Sequence, residues 1–170
     1  MNEFEIMEEA KKIKEDTLKM LDFHSQKKYK EAFEILLELS YLGLGLISFF
    51  LGEYYRHGYY VKIDHKKALG WYEKAANEND KNGLYALGIS YYLGLGVEQN
   101  YEYAYEYFEV ASIFDSVQSF YMLGICSLNG YGTKKSMLEA LNWFSLGKKY
   151  GNKDCSDMYE KLYLIYVGKK

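Results

Sequence analysis

The chain has no proline, two cysteines, three histidines and two tryptophans among its 170 residues. Without proline, no helix is broken from within by a missing N–H donor. Cys126 and Cys155 fall in no CxxC or other short metal-binding spacing, and two cysteines make no disulfide framework. A basic excess is missing as well. Lys+Arg 21 against Asp+Glu 24 leaves a net charge of −3, whereas a nucleic-acid partner selects a basic stripe that displaces counterions. The most apolar run, "YLGLGLISFFLG" at 41–52, is far short of the roughly 20 residues that cross a bilayer. At the N-terminus Glu3, Glu5, Glu8 and Glu9 stand where a secretory signal has its apolar stretch. No GxGxxG, P-loop, HExxH or GxSxG signature occurs. The expectation is a reduced, cytoplasmic protein with no membrane insertion, no nucleic-acid partner, no cofactor or metal, and no catalytic residues.

What is present in excess is aromatic: Tyr 20 and Phe 9, for an aromatic share of 18%. A 36-residue period organises much of it. "LGEYYRHGYYV", "LGISYYLGLGV" and "LGICSLNGYGT" begin at Leu51, Leu87 and Leu123, 36 residues apart. Ala32, Ala68, Ala104 and Ala140 keep the same step. Three residues further on stand Ile35, Trp71, Tyr107 and Trp143, then Leu36, Tyr72, Phe108 and Phe144, then Leu39, Ala75, Ala111 and Gly147. Offsets of 0, 3, 4 and 7 trace one face of an α-helix. Leu87, Gly88 and Tyr91 define a second helical face, matched by Leu51, Gly52 and Tyr55. Each repeat therefore encodes two helices.

The punctuation repeats too. Asp64, Asn100 and Ser136 precede the ladder alanines by four residues and are good N-cap types. Gly43, Asn79, Asp115 and Gly151 follow the alanine helix, and Gly58, Gly94 and Gly130 follow the Leu-Gly helix, where a left-handed residue ends each. Gly52, Gly88 and Gly124 sit inside helices at about 1 kcal/mol each against alanine. Close packing offsets that cost, with Trp71, Tyr107 and Trp143 as the expected partners.

These residues resemble the Sel-1-like repeats, relatives of the tetratricopeptide repeats. "LYALGISYYLGLGVEQNYEYAYEYFEVAS" and "DHKKALGWYEKAANEN" carry the likeness most fully, with Asn100 where the family usually has Asp. The third copy has Thr133 for Val, with Gly147 and Lys148 for the double Ala, and the first has Tyr60 for the second turn Gly. The resemblance implies an all-α, right-handed α-solenoid of antiparallel helix pairs, one domain over 1–170. Its expected parts are a degenerate tetratricopeptide-like unit at 1–42, repeats at 43–78, 79–114 and 115–150, and a capping helix at 151–170. Degenerate ends suit a complete solenoid. Some similar secreted proteins carry one cysteine pair per repeat, but Cys126 and Cys155 occupy non-equivalent positions, so free thiols are expected here.

By similarity to tetratricopeptide proteins, the Leu-Gly helix lines the concave side. The groove positions are then Phe49, Glu53, Arg56 and His57; Asn82, Tyr85, Ile89 and Tyr92; Gln118, Tyr121, Ile125 and Asn129; and Asp157 and Lys161. Phe49, Ile89 and Ile125 have a competing assignment to the core. Aromatics with polar tips on rigid helices suit protein recognition. The expected function is non-enzymatic binding of a peptide or helix of another protein, as in adaptors, immunity proteins or bacterial host-interaction factors. A composition rich in Lys, Tyr, Asn and Glu points to a bacterial source. The alternative is a small-ligand-binding or weakly hydrolytic protein acting on cell-wall-like compounds, dependent on His57 or Asp157.

Overall fold

The computed structural model describes residues 2–168, and all their regular elements are helical. Helices α1 (Glu3–Ser25) and α2 (Tyr29–Leu39) come first, followed by a 3₁₀ turn at Ser40–Leu42. Then come α3 (Gly45–His57), α4 (His65–Asn77), α5 (Lys81–Leu93), α6 (Tyr101–Ile113), α7 (Val117–Asn129) and α8 (Met137–Lys149). Helix α9 (Lys153–Val167) ends the array. The six from α3 to α8 are each 13 residues long, so the period resolves into two equal helices and two turns.

The caps explain these limits. Asp64 accepts from the Lys67 N–H at 3.0 Å, Asn100 from Glu102 and Tyr103 at 2.9 and 3.0 Å, and Ser136 from Glu139 at 3.2 Å. Each satisfies donors that the first turn leaves free. Asn79 and Asp115 take φ of 55° and 57°, and thereby end α4 and α6 without a glycine.

Each helix packs on the next in sequence, and α3 also reaches α5 as α7 reaches α9. Among the described residues α4, α6 and α8 make no contact of that extent with one another. The Leu-Gly helices form one layer and α4, α6 and α8 the other; within the first, α5 and α7 make no contact of that extent either. The core between the layers holds the ladder alanines with Leu51, Leu87 and Leu123, all buried.

The helical glycines are explained by close packing, but against a different aromatic. A Cβ on Gly52, Gly88 or Gly124 would overlap the ring of Tyr72, Phe108 or Phe144, respectively. These rings are fully buried, whereas Trp71, Tyr107 and Trp143, the expected partners, are half-buried beside them. One residue is about 100° of helix rotation, which carries the neighbouring position off the pair axis and towards the flanking helix. Tyr107, for example, stacks on Tyr91 with centroids 5.5 Å apart.

A second aromatic device joins one repeat to the previous one. Tyr131, just after the α7 cap, stacks on Tyr101 at the start of α6, with centroids 4.6 Å apart. Tyr59 stacks on Tyr29 in the same way at 4.5 Å. At the later junctions the chain touches the start of the preceding helix, where a Cβ on Gly96 or Gly132 would meet the carbonyl oxygen of His65 or Tyr101; beside Gly96 the stacked pair is replaced by Leu95 and His65. At the first junction Tyr60 holds the same left-handed conformation, φ 65°, and lays its ring against Phe33.

Cys126 and Cys155 are free and buried. Burial pushes the Cys126 thiol up to about 12; burial and then the Asp154 charge push Cys155 up to about 11. The thiolate is the reactive form. Native protein at pH 8 is therefore expected to react with a disulfide reagent far more slowly than protein in urea, where both thiols titrate. Rapid native labelling would contradict this packing.

Candidate protein-binding groove

On each Leu-Gly helix one face is committed to the paired helix. Leu51, Gly52 and Tyr54 on α3, Leu87, Gly88 and Ser90 on α5, and Leu123, Gly124 and Cys126 on α7 are buried. The expected groove positions lie off that face. Phe49, Glu53, Arg56, Asn82, Tyr85, Ile89, Tyr92, Tyr121 and Ile125 are half-buried, while His57, Gln118, Asn129, Asp157 and Lys161 are exposed. Phe49, Ile89 and Ile125 pack on the core clusters yet keep part of their surface in solvent, so they serve both layers.

At the α3 end the groove residues form a polar network. Glu53 accepts from the Tyr72 hydroxyl at 2.6 Å and pairs with Arg56 at 3.3 Å and His57 at 3.2 Å. Burial, and then the Glu53 charge, push the Tyr72 hydroxyl up, so it stays protonated and donates. Arg56 also opposes the upward shift that burial imposes on Tyr85 of α5, which places its charge across the step between repeats. The carboxylate thus accepts from Tyr72 and Arg56, with His57 Nε2 beside its second oxygen, and the His57 ring stacks on that of Tyr59 at 5.2 Å.

Across α5 and α7 the candidates carry no charge. Tyr85 leans on Phe108 and Tyr121 on Phe144, at centroid distances of 5.7 and 5.9 Å. Tyr92 meets Tyr101 and Tyr131, which ties its position to the inter-repeat stack. Asn129 bonds back to the Ile125 carbonyl at 2.8 Å. Asp157 and Lys161 stand on α9, at the opposite end of the layer from His57, so the two histidine and aspartate positions share no site. Among the described residues no group of three or more His, Cys, Asp or Glu side chains is placed to hold a metal ion. No helix among them is long and apolar enough to cross a membrane.

The repeat pattern gives no hint of the cluster around His24, because α1, which carries it, stands outside the period. The His24 ring lies 5.4 to 5.7 Å from those of Tyr29, Phe50, Tyr54 and Tyr59, with Nδ1 3.2 Å from the Tyr54 hydroxyl. Burial lowers its pKa from the ordinary 6.5, against a smaller upward pull from Glu53. The folded state thus prefers neutral His24. Its contribution is complete above pH 6.5 and declines as the pH falls through the lowered folded value. Urea midpoints at pH 7.5 and 5.0 are expected to differ more for the parent than for His24→Gln. Equal acid sensitivity would remove His24 from the account.

Three segments, residues 48–80, 82–112 and 120–149, match the Sel1 repeat and together take in more than half of the chain. The chain belongs to the Sel1 repeat family. Sel1 repeats generally mediate protein–protein interaction. Solved structures agree on the fold. A Sel1 repeat protein from Oxalobacter formigenes is 24% identical with a TM-score of 0.81, over 87% of this chain and 59% of that one. A protective antigen of uropathogenic Escherichia coli with an SLR fold is 22% identical with a TM-score of 0.83, over 94% and 35%. Cysteine rich protein B of Helicobacter pylori is 21% identical with a TM-score of 0.61, over 77% and 94%. This chain therefore spans less than two thirds of the length of the first two. The third is named for its cysteines, whereas here the two present are free and buried. No curated protein matches the sequence.

Proposed function

We propose that this Sel1 repeat protein binds a peptide or helix of a partner protein along the concave face of α3, α5, α7 and α9, without catalysis. The observation that carries this reading is the uncharged central strip of half-buried Tyr85, Ile89, Tyr92, Tyr121 and Ile125, held on rigid helices and left partly open to solvent. Large rings with little rotamer freedom are the side chains that dominate interface energetics. The flanking Glu53–Arg56–His57 network already satisfies its own charges, so it sets register more than it adds affinity. A dedicated binder, such as an adaptor, an immunity protein or a host-interaction protein of a bacterium working in the cytoplasm, fits this surface.

Capture of the partner from cells that produce the protein tests the reading. The parent and a Tyr85→Ala/Tyr121→Ala variant are compared, with helicity checked by circular dichroism. Losing two anchors of about 2 kcal/mol each weakens binding by about 10³-fold if their effects add. A partner retained equally by the still-helical variant would move binding off this face.

A further inference from the structure

Trp71, Tyr107 and Trp143 hold one repeat position on α4, α6 and α8, yet the charge around them differs. On α4 the chain supplies its own cation, with Lys74 Nζ 3.9 Å from the Trp71 ring centroid. One repeat later, beside Tyr107, Val110 replaces Lys74, Glu106 replaces Gly70 and Glu109 matches Glu73; two repeats later, beside Trp143, Leu146 replaces Lys74. A groove of about 540 Å³ results between α6 and α8, lined by Trp143, Glu106, Glu109, Val110 and Ile113. Ile113 is 76% exposed, a large aliphatic side chain in the open. Among the described residues no lysine or arginine forms an ion pair with Glu106 or Glu109. Burial, followed by the charges of Glu139 and Glu106, pushes the Glu109 carboxyl up. Unneutralised carboxylates crowd one another in this way.

We infer that this outer groove receives an arginine side chain, with an adjacent aliphatic residue, from a separate partner protein. The guanidinium lies on the Trp143 indole with its N–H groups reaching Glu106 and Glu109, and the aliphatic neighbour covers Val110 and Ile113. It supplies from outside the cation that Lys74 supplies to Trp71 from within. The surface belongs to the layer of α4, α6 and α8, so the inference does not rest on the concave groove.

The probe is acetyl-Leu-Arg-Leu-amide, with citrulline in place of arginine as its neutral counterpart. The chain has two tryptophans, so two indole N–H resonances report by NMR, assigned with Trp71→Phe. The arginine peptide is expected to shift the Trp143 signal saturably in the millimolar range and leave Trp71 in place. Glu106→Gln/Glu109→Gln should weaken the effect at least tenfold, with an unchanged Trp71 signal showing that the fold is intact. No saturable shift, or an equal shift by the citrulline peptide or in the double variant, overturns the inference. A Trp143 signal that moves with protein concentration before peptide is added overturns it in favour of a second copy of this chain.

Discussion

Gly88→Ala is expected to lower the free energy of unfolding by about 2 kcal/mol, although alanine is the better helix former by about 1 kcal/mol. The added Cβ would lie inside the contact shell of Phe108, a fully buried ring. Overpacking of this kind costs about 1–3 kcal/mol, and here the upper part of that range applies. Gly70→Ala is the control. It lies on α4 with nothing within 4 Å of the new carbon, so only propensity acts and stability rises by about 0.5–1 kcal/mol. Urea midpoints at constant slope measure both. Adding Phe108→Leu should shrink the loss caused by Gly88→Ala, and a double-mutant cycle reads that coupling. If Gly88→Ala stabilised like Gly70→Ala, the close approach between the two layers would be wrong.

Gly132→Ala is expected to cost more, about 3 kcal/mol. Its φ of 69° disfavours any Cβ by about 1–2 kcal/mol. That Cβ would also meet the carbonyl oxygen of Tyr101, which is backbone in the first turn of α6 and cannot swing aside. The turn must lift, and the Tyr101–Tyr131 stack, worth about 0.5–1.5 kcal/mol, opens with it. The equivalent change in the opposite sense, Tyr60→Gly, relieves a left-handed tyrosine but gives up its ring contact with Phe33. Those terms oppose each other, and stability should stay within about 1 kcal/mol of the parent. Comparable losses at both positions would show that the junctions are not equivalent.

These two glycine positions also show how far the sequence could be read. The Ala32–Ala68–Ala104–Ala140 ladder and the capping residues marked the helix pairs because each has a local cause, a small buried side chain or a side-chain oxygen at a helix start. The partner of Gly88 was misplaced by one residue, since Tyr107 and Phe108 are adjacent and both large, and only the rotation of the packed helix separates them. The Tyr131–Tyr101 stack has no signature in the period for another reason. It joins residues 30 apart, so a search for steps of 36 passes over it. His24 lies outside the period altogether. For the groove, similarity to tetratricopeptide proteins, carried over by repeat position, points to Tyr85, Ile89, Tyr121 and Ile125, which are half-buried. The proposed role in binding has no counterpart in the folding pattern, because a binding face is defined by contacts that folding itself does not make.

The most direct test of the central reading is photocrosslinking in the producing cell. A benzophenone amino acid is placed at Tyr85 or Tyr121 on the Leu-Gly layer, and at Lys66, exposed on α4, as the comparison. The account predicts one partner protein crosslinked from both tyrosine positions and none from Lys66. A partner captured from Lys66 but from neither tyrosine would contradict it.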